Sequence, residues 1–433
     1  MTAPRARIDE PFDAALTTRR WLIGAVVAVS IAGLVGMLAL WPTGAAPDLG
    51  AQPTSYVDGT VASIRETICE DIELVASTGC RIVTVEIDGR TGTDATGEYV
   101  IRDTDFETPD VDVGDAVTLL DIRINPEPFR YTFVDFQRAT TLWWFLALFV
   151  VIVVIFGRWQ GVRALLGLVL SGVVILAFII PSLLRDEPAV LVALSGTVVI
   201  AVIALVLAHG ANMSTVVALA GTLASLAITT GLAVLAANFA HLSGLAGEEA
   251  QVLRVTADAL DLRGLLIAGI VLGALGVLDD VTVTQVSTVG ALRRADPTMG
   301  NVTLYREAVA VGRDHVASTV NTLVLAYAGA ALPLLLVFAE GTRPIGRILS
   351  SEIVAVEVIR MLVGSIGLVL SVPITTALAA IVLTGSEPSL HGHGHGHGHD
   401  EGPGHGHDEG HDEGHDEGLD HGERANWHNG GGV

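Results

Sequence analysis

Long apolar runs recur along the chain, and their lengths predict membrane-spanning helices. An α-helix needs about 20 apolar residues to cross a bilayer core of about 30 Å. Charged residues are rare inside the runs and common between them. The pattern predicts a mainly α, polytopic helical membrane bundle of about eight spans, at residues 21–40, 142–156, 164–181, 189–208, 215–240, 264–289, 318–339 and 361–384.

Residues 42–140, between the first two runs, follow a different pattern in which apolar and polar residues alternate over short stretches. This period of two is typical of half-buried β-strands. Turn residues such as Asp88-Gly89 separate the stretches. Five short strands in this length favour a small β-barrel of the OB or SH3 type, with strands at residues 56–64, 81–87, 99–101, 116–120 and 131–136.

Arginine positions predict the orientation of the spans. Arg19 and Arg20 precede the first run, and the loops after the second and sixth runs are also rich in arginine. Positive loops stay in the cytoplasm, so both termini should be cytoplasmic and the β-rich domain extracytoplasmic, in a bacterial plasma (inner) membrane. Arg343 and Arg347 fall on the outer side and fit less well. A cleaved signal peptide is the alternative for the first run, but its length favours a retained anchor.

These patterns divide the chain into five parts. They are a cytoplasmic N-terminus (1–20), a first transmembrane helix (21–41), the β-rich domain (42–140), a seven-span membrane domain (141–384) and a tail (385–433). The composition agrees, with 51% hydrophobic residues and a mean hydropathy of +0.57. The net charge of −23 comes from the β-rich segment and the tail, so it gives no sign of nucleic-acid binding.

The tail is a low-complexity segment of alternating histidine, glycine and acidic residues, and we expect it to be disordered. Several of its imidazoles could wrap one divalent transition metal such as Zn²⁺, Ni²⁺, Co²⁺ or Cu²⁺. The alternative is a solvated acidic tail whose histidines arose by repeat expansion. The candidate metal ligands are His391, His393, His395, His397, His399, His405, His407, His411 and His415.

The chain has two cysteines, Cys69 and Cys80, between the first two predicted strands. In an oxidising compartment they can form a disulfide that closes a short loop. Two free buried thiols are the alternative. With two cysteines, a four-cysteine zinc site is excluded.

Two adjacent carboxylates, Asp279 and Asp280, interrupt the sixth long apolar run. If this run is helical, Asp280, Thr284 and Ser287 share a face, and Gln285 lies beside them. Ionisable groups at membrane depth are costly and usually face the interior of a bundle. The pair therefore predicts a proton- or cation-coupled site. The alternative is that the span ends at Leu278 and leaves both acids hydrated at the cytoplasmic interface.

Four further polar residues lie near the last two spans. Asn321 could hydrogen-bond across helices. Glu352, Glu357 and Arg360 precede the last span, and the latter two are spaced to form an ion pair on a helix. The apolar positions of residues 345–360 favour an interfacial helix.

Several segments resemble the YibE/F-like family of multi-pass membrane proteins. They are Gly-Ala-Leu-Gly-Val-Leu-Asp-Asp-Val at 273–281, Asp-Leu-Arg-Gly-Leu-Leu at 261–266, shorter stretches at 321–329, 364–368 and 373–376, and the single residue Glu352. The resemblance extends over about residues 55–383 and implies an outer domain joined to many spans. The family pattern has an aspartate that Asp279 matches, whereas Asp280 and Thr282-Val283-Thr284 depart from it. The resemblance supplies no substrate.

The sequence contains no Gly-x-x-x-x-Gly-Lys-Ser/Thr, His-Glu-x-x-His or Gly-x-Ser-x-Gly motif, which argues against an enzyme of these classes. The intramembrane acids favour a permease-like or transport-associated function, with divalent-metal export as one version. The alternative is a membrane-anchored module that binds or assembles cell-envelope partners through its β-domain. The expected partners are the lipid bilayer and, depending on the function, metal ions, an envelope protein or further copies of the chain.

Overall fold

The computed structural model describes residues 10–44, 55–68, 79–90, 95–102, 110–122, 125, 129–256, 260–340 and 344–383. Within these ranges the chain is mostly helical and contains one five-stranded sheet. This agrees with the predicted combination of a helical bundle and a β-rich domain. Cys69 and the histidine-rich tail lie outside the described residues.

The alternating segments form one antiparallel sheet, with its strands in the order β3-β2-β1-β4-β5. The strands are β1 (Ser55–Ile68), β2 (Gly79–Ile87), β3 (Thr96–Arg102), β4 (Ala116–Asp121) and β5 (Tyr131–Phe136). Register shifts at Val61/Ser63 and at Thr118/Leu119 mark irregularities in the ladders. Because bulges bend and twist a strand, they help the sheet to curl into a half-barrel.

The curl brings the two edge strands of the sheet together. Tyr131 of β5 lies so close to Gly97 of β3 that a Cβ on Gly97 would be 2.7 Å from the tyrosine ring. The concave face buries the inward members of the alternating pattern, among them Val83, Val85 and Leu119. The predicted barrel is thus observed as a half-barrel with a continuous apolar core.

Asp121, at the end of β4, is a buried carboxylate held by two arginines. Its Oδ1 accepts a hydrogen bond from Arg130 Nε at 2.8 Å, and Arg90 Nη2 lies 3.4 Å from Oδ2. The hydrogen bond from Arg130, with the charges of both arginines, outweighs the desolvation of the carboxylate and holds the pKa of Asp121 below its ordinary value. Cys80 of β2 is buried and disulfide-bonded.

The helices account for the apolar runs. They are α1 (Glu10–Ala39), α2 (Ala139–Val174), α3 (Ile180–Leu183), α4 (Ala189–His209), α5 (Met213–Phe239), α6 (Glu248–Thr256), α7 (Leu262–Ala295), α8 (Asn301–Ala330), α9 (Leu332–Glu340), α10 (Ile345–Leu349) and α11 (Glu352–Val382). A π-helical turn, Ile175–Ile179, joins α2 to α3. Among the described residues, six helical stretches are long and apolar enough to cross a membrane, and the bent pair α8–α9 would be a seventh.

The predicted second and third spans lie in one stretch of 45 residues, Ala139–Leu183. This stretch is broken at Arg158, which has φ 50° and ψ −133°. Gly161 lies directly against the carbonyl oxygen of Val153. Residues eight apart in a straight helix are separated by about 12 Å, so this contact requires the chain to fold back at Arg158.

Two later elements differ from their predicted form. The predicted seventh span is bent by 64° between α8 and α9, where Pro333 cannot continue the backbone hydrogen bonding of a helix. The interfacial helix predicted over residues 345–360 is wrong as a single element, because α10 ends at Leu349 and a separate helix, α11, begins at Glu352. Apolar positions of that first part of α11, including Val354 and Val356, are buried, so it packs as the beginning of the last long helix.

Helices α4, α5, α7 and α11 form the centre of the bundle, with α1 against α4 and α8 against α11. Gly221 and Thr229 of α5 lie against Thr375 and Gly367 of α11, respectively. Residue numbers therefore rise along α5 as they fall along the facing side of α11, and the two helices are antiparallel. This packing brings polar side chains of α5, α7 and α11 together inside the bundle.

Candidate functional site

Asp279 and Asp280 both lie within α7, which continues to Ala295 without a break. The helix therefore does not end at Leu278. Successive residues of a helix point about 100° apart, and this separates the two acids. Asp279 is half-buried and its Oδ1 is fully buried, whereas Asp280 is exposed. The structure thus turns one of the two predicted acids toward the neighbouring helices and the other away from them.

The buried face of α7 carries Thr282 and Gln285, which hydrogen-bond to two other helices. Thr282 Oγ1 lies 2.7 Å from Thr222 Oγ1 of α5. Gln285 Oε1 accepts a hydrogen bond of 2.9 Å from Thr376 Oγ1 of α11. With Ser225 of α5 and Thr375 of α11, these side chains form a fully buried group that we call the polar core: Thr222, Ser225, Thr282, Gln285, Thr375 and Thr376.

The polar core is incompletely paired. Ser225 Oγ, Thr375 Oγ1 and Gln285 Nε2 have no hydrogen-bond partner among the described residues, and neither has Asp279 Oδ1. The Gln285 amide lies against the backbone of α8, since a Cβ on Gly312 would be 2.5 Å from Nε2. A buried donor or acceptor without a partner costs about 1–3 kcal/mol. These four atoms are therefore unpaired polar positions inside the bundle.

The remaining predicted site residues do not join the polar core. Thr284 hydrogen-bonds to the backbone of Asp280, and Ser287 and Asn321 are exposed. Glu352 accepts hydrogen bonds from Ser243 N and Oγ and from Gly244 N, and so ties the loop after α5 to the start of α11.

The predicted ion pair on α11 is present. Arg360 Nη1 lies 2.9 Å from Glu357 Oε1. Both residues line a cleft of about 340 Å³ between α11 and the start of α7. An exposed or half-exposed pair of this kind contributes little to stability.

The position of Asp279 along the axis of the bundle follows from the contacts between α7 and α4. Ala189, at the start of α4, packs against Gly264 near the start of α7. At the other end, His209 of α4 lines a cleft of about 480 Å³ together with Ser287 and Gly290 of α7. The two helices therefore run in the same direction, and Asp279 lies between the levels of the two ends of α4.

Gln285 was predicted from the sequence, but the polar-core residues of α5 and α11 were not. Thr222, Ser225 and Thr229 follow one another at intervals of three and four residues in α5, which is the spacing of one helical face. Thr375 and Thr376 interrupt the apolar run of α11. This periodicity was available from the sequence, and it would have predicted polar faces on two further helices.

The described residues contain no group of three or more His, Cys, Asp and Glu side chains that could hold a metal ion. The predicted histidine ligands, from His391 onward, belong to the tail outside the described residues. Metal binding by the tail stays a prediction.

Comparison with known proteins gave one result. No curated protein and no solved structure matched the chain. A family model described as YibE/F-like protein matches residues 145–385, which include α4, α5, α7, α8 and α11 and every residue of the polar core. The chain belongs to the YibE/F-like family, as its sequence motifs indicate.

Proposed function

We propose that this protein is a permease-like membrane protein in which α5, α7, α8 and α11 provide a polar path that includes Asp279. The observation that carries this proposal is the set of unpaired buried atoms around α7. Hydrogen bonding between helices accounts for Thr222–Thr282 and for Gln285–Thr376. It does not account for Asp279 Oδ1, Gln285 Nε2 or Thr375 Oγ1, which have no partner among the described residues. Polar groups inside a membrane need internal partners, so these atoms require another explanation.

Helix α4 supports a location of Asp279 at membrane depth. Its 21 residues correspond to about 31 Å of helix, close to the thickness of a hydrocarbon core. Asp279 lies about 22 Å along α7 from Gly264 and about 16 Å from Gly290. If α4 crosses the bilayer, Asp279 lies within it, where an aspartate costs about 2.5–3.5 kcal/mol on insertion scales. Such a cost is consistent with a functional role.

The proposed topology has eight spans. We count the two halves of α2 on either side of Arg158 as separate spans and α8–α9 as one. Arg163 Nη2 lies 3.5 Å from the carbonyl of Val206, near the end of α4 where Arg293 and Arg294 line the cleft. Arginines of two predicted cytoplasmic loops thus lie at the same end of the bundle. By the positive-inside rule, we propose that this end and both termini are cytoplasmic, in a bacterial inner membrane, and that the β-domain is extracytoplasmic.

Divalent-metal export is not included in the proposal. Among the described residues no metal-ligand group was found, and the polar core offers hydroxyls and an amide rather than the imidazole and thiolate ligands that transition metals prefer. Metals nevertheless belong in the solute screen, because the tail is rich in histidine.

The test is a solute and metal screen of a deletion strain, followed by complementation. The wild-type chain should restore growth under the condition that the screen identifies. Asp279→Asn should abolish complementation while membrane abundance stays normal. Asp280→Asn is the matched control, because its carboxylate is exposed and one residue away, and it should complement like the wild type. Equal complementation by both variants would contradict the proposal.

The β-domain supports a second candidate function, an envelope binding or assembly module. Tyr56, Phe129 and Val134 are large side chains that are 62%, 48% and 45% exposed. Large exposed side chains are available for contact with a partner, although exposed apolar residues that stand singly are common on protein surfaces. Under this hypothesis, deletion of residues 55–136 abolishes complementation while Asp279→Asn has no effect. The permease hypothesis requires Asp279→Asn to be inactive.

A further inference from the structure

The arginine-rich end of the bundle contains a cleft of about 480 Å³ between the end of α4, the start of α5 and the last turns of α7. None of its lining residues within the described ranges is acidic. Its basic and hydroxyl side chains come from all three helices: His209, Ser214, Thr215, Ser287, Arg293 and Arg294.

Arg294 is the second arginine of this cleft, and its side chain has no partner among the residues that the structure describes. Its Nη1 lies 3.4 Å from the position that a Cβ would take on Gly290. The guanidinium therefore folds back over the preceding turn of α7, which also lines the cleft. Arg294 is exposed and has no hydrogen bond or ion pair with a residue that the structure describes.

Arg293, unlike Arg294, is hydrogen-bonded to the residues that follow α7. Its Nη1 donates to the carbonyl oxygen of Met299 at 2.6 Å, and its Nη2 donates to Asn301 Oδ1 at 3.1 Å. These acceptors are neutral, but the charge of Arg293 also acts on the carboxylate of Asp296, which does not line the cleft. The two arginines together give the cleft a positive potential, and no carboxylate is present among the described residues of its lining.

The start of α5 adds backbone donors. Asn212 Oδ1 accepts from Thr215 N at 3.0 Å, but the N–H groups of Met213 and Ser214 precede the first helical acceptor. The positive end of the helix dipole therefore adjoins the cleft. Backbone N–H groups beside a free guanidinium form the type of environment that binds phosphate oxygens.

We propose that this cleft binds a phosphate-type oxyanion, either the headgroup of an anionic phospholipid or a free phosphate. Arg294 would hold two oxygens through its planar guanidinium, and the first turn of α5 and Ser287 would donate to the others. The cleft adjoins the end of α4, where a headgroup would lie if α4 crosses the bilayer. This site is independent of the proposed path through the polar core.

The test uses the full chain in a neutral detergent and measures its thermal unfolding midpoint. Sodium phosphate is titrated against sodium chloride at equal ionic strength, and phosphatidylglycerol against phosphatidylcholine with the same acyl chains. At least one of the two phosphate sources should raise the midpoint saturably relative to its control, because a ligand that binds the folded state stabilises it. A response to phosphatidylglycerol alone identifies the lipid, and a response to inorganic phosphate alone identifies a soluble anion.

Two variants test the assignment to Arg294. Arg294→Gln should weaken the apparent affinity by about tenfold, since it removes a charge-assisted contact, while its midpoint without ligand stays that of the wild type. Arg294→Lys should retain part of the affinity. Arg306→Gln is the matched control, because Arg306 is exposed on α8 and does not line the cleft. The absence of any saturable shift, or equal weakening by Arg294→Gln and Arg306→Gln, would overturn the proposal.

Discussion

Thr229 of α5 packs against the backbone of Gly367 of α11, where any Cβ would collide with the threonine hydroxyl. In a second contact of the same kind, the threonine is on α11 and the glycine on α5: Thr375 packs against Gly221. The two contacts lie eight residues apart on each helix and therefore define the antiparallel register of the pair. Small residues that allow close helix approach are typical of packing within membranes, where helices gain little from hydrophobic burial against one another.

Gly367→Ala should destabilise the folded bundle by about 1–3 kcal/mol, the range for overpacking of a tight contact. Gly364→Ala is the matched control, because nothing lies within 4 Å of a Cβ at that position. Alanine favours helix by about 1 kcal/mol over glycine, so the control should be neutral or stabilising. Denaturant unfolding in detergent measures both. Equal effects of the two substitutions would refute the close contact.

The hydrogen bond between Thr222 and Thr282 can be tested by a double-mutant cycle with valine at each position. Each hydroxyl also lies within hydrogen-bonding distance of a carbonyl of its own helix, Ala218 O and Asp279 O respectively. Since each hydroxyl has one proton, one of the two donates across to the other, which donates to its own carbonyl. Each single variant should therefore cost about 1 kcal/mol. The double variant should cost less than the sum, with a coupling of about 0.6 kcal/mol, as for other hydrogen bonds between membrane helices. Strict additivity of the unfolding free energies would argue against this pairing.

The β-domain should lose stability in acid through Asp121. Because Arg130 and Arg90 lower the pKa of the folded-state carboxyl, the unfolded state binds protons more tightly. The stabilisation is therefore complete above the ordinary pKa of about 4 and is lost as the pH falls through the lower folded-state pKa.

Asp121→Asn should remove this pH dependence and cost about 2 kcal/mol at neutral pH, as expected for a lost charged hydrogen bond. Hydrogen exchange of peptides from β4 in the full chain, corrected for intrinsic rates, measures the change. Asp58→Asn is a suitable control, since Asp58 accepts an exposed hydrogen bond from Thr118. If the wild type and Asp121→Asn respond identically to acid, the ion-pair assignment is wrong.

Accessibility labelling should distinguish one span from two in the stretch Ala139–Leu183. We expect Arg158→Cys to react with a membrane-impermeant maleimide only after the inner membrane is opened. Glu187→Cys should react in cells with an intact inner membrane, because it lies at the opposite end. If the stretch crossed the membrane once, Arg158→Cys would lie within the bilayer and stay unlabelled under both conditions.

Local sequence patterns determined the elements of this protein. The lengths of the apolar runs identified the long helices, and the alternation of residues 56–136 identified five strands, because both patterns depend on a few consecutive residues. The sequence also indicated that the stretch around Asp279 and Asp280 is helical and apolar on both sides. Family motifs at 273–281 and 373–376 lie on α7 and α11, two helices that meet in the bundle.

The tertiary structure decided which polar groups meet. The family resemblance favoured Asp279, but the hydrophobic pattern alone could not distinguish it from Asp280, because the inward direction of a helix depends on where its neighbours pack, and a rotation of about 100° separates adjacent side chains. The pairing of Gln285 with Thr376 joins residues 91 positions apart, a separation at which sequence periodicity carries no information. Contacts between distant segments, rather than local propensity, therefore formed the candidate site.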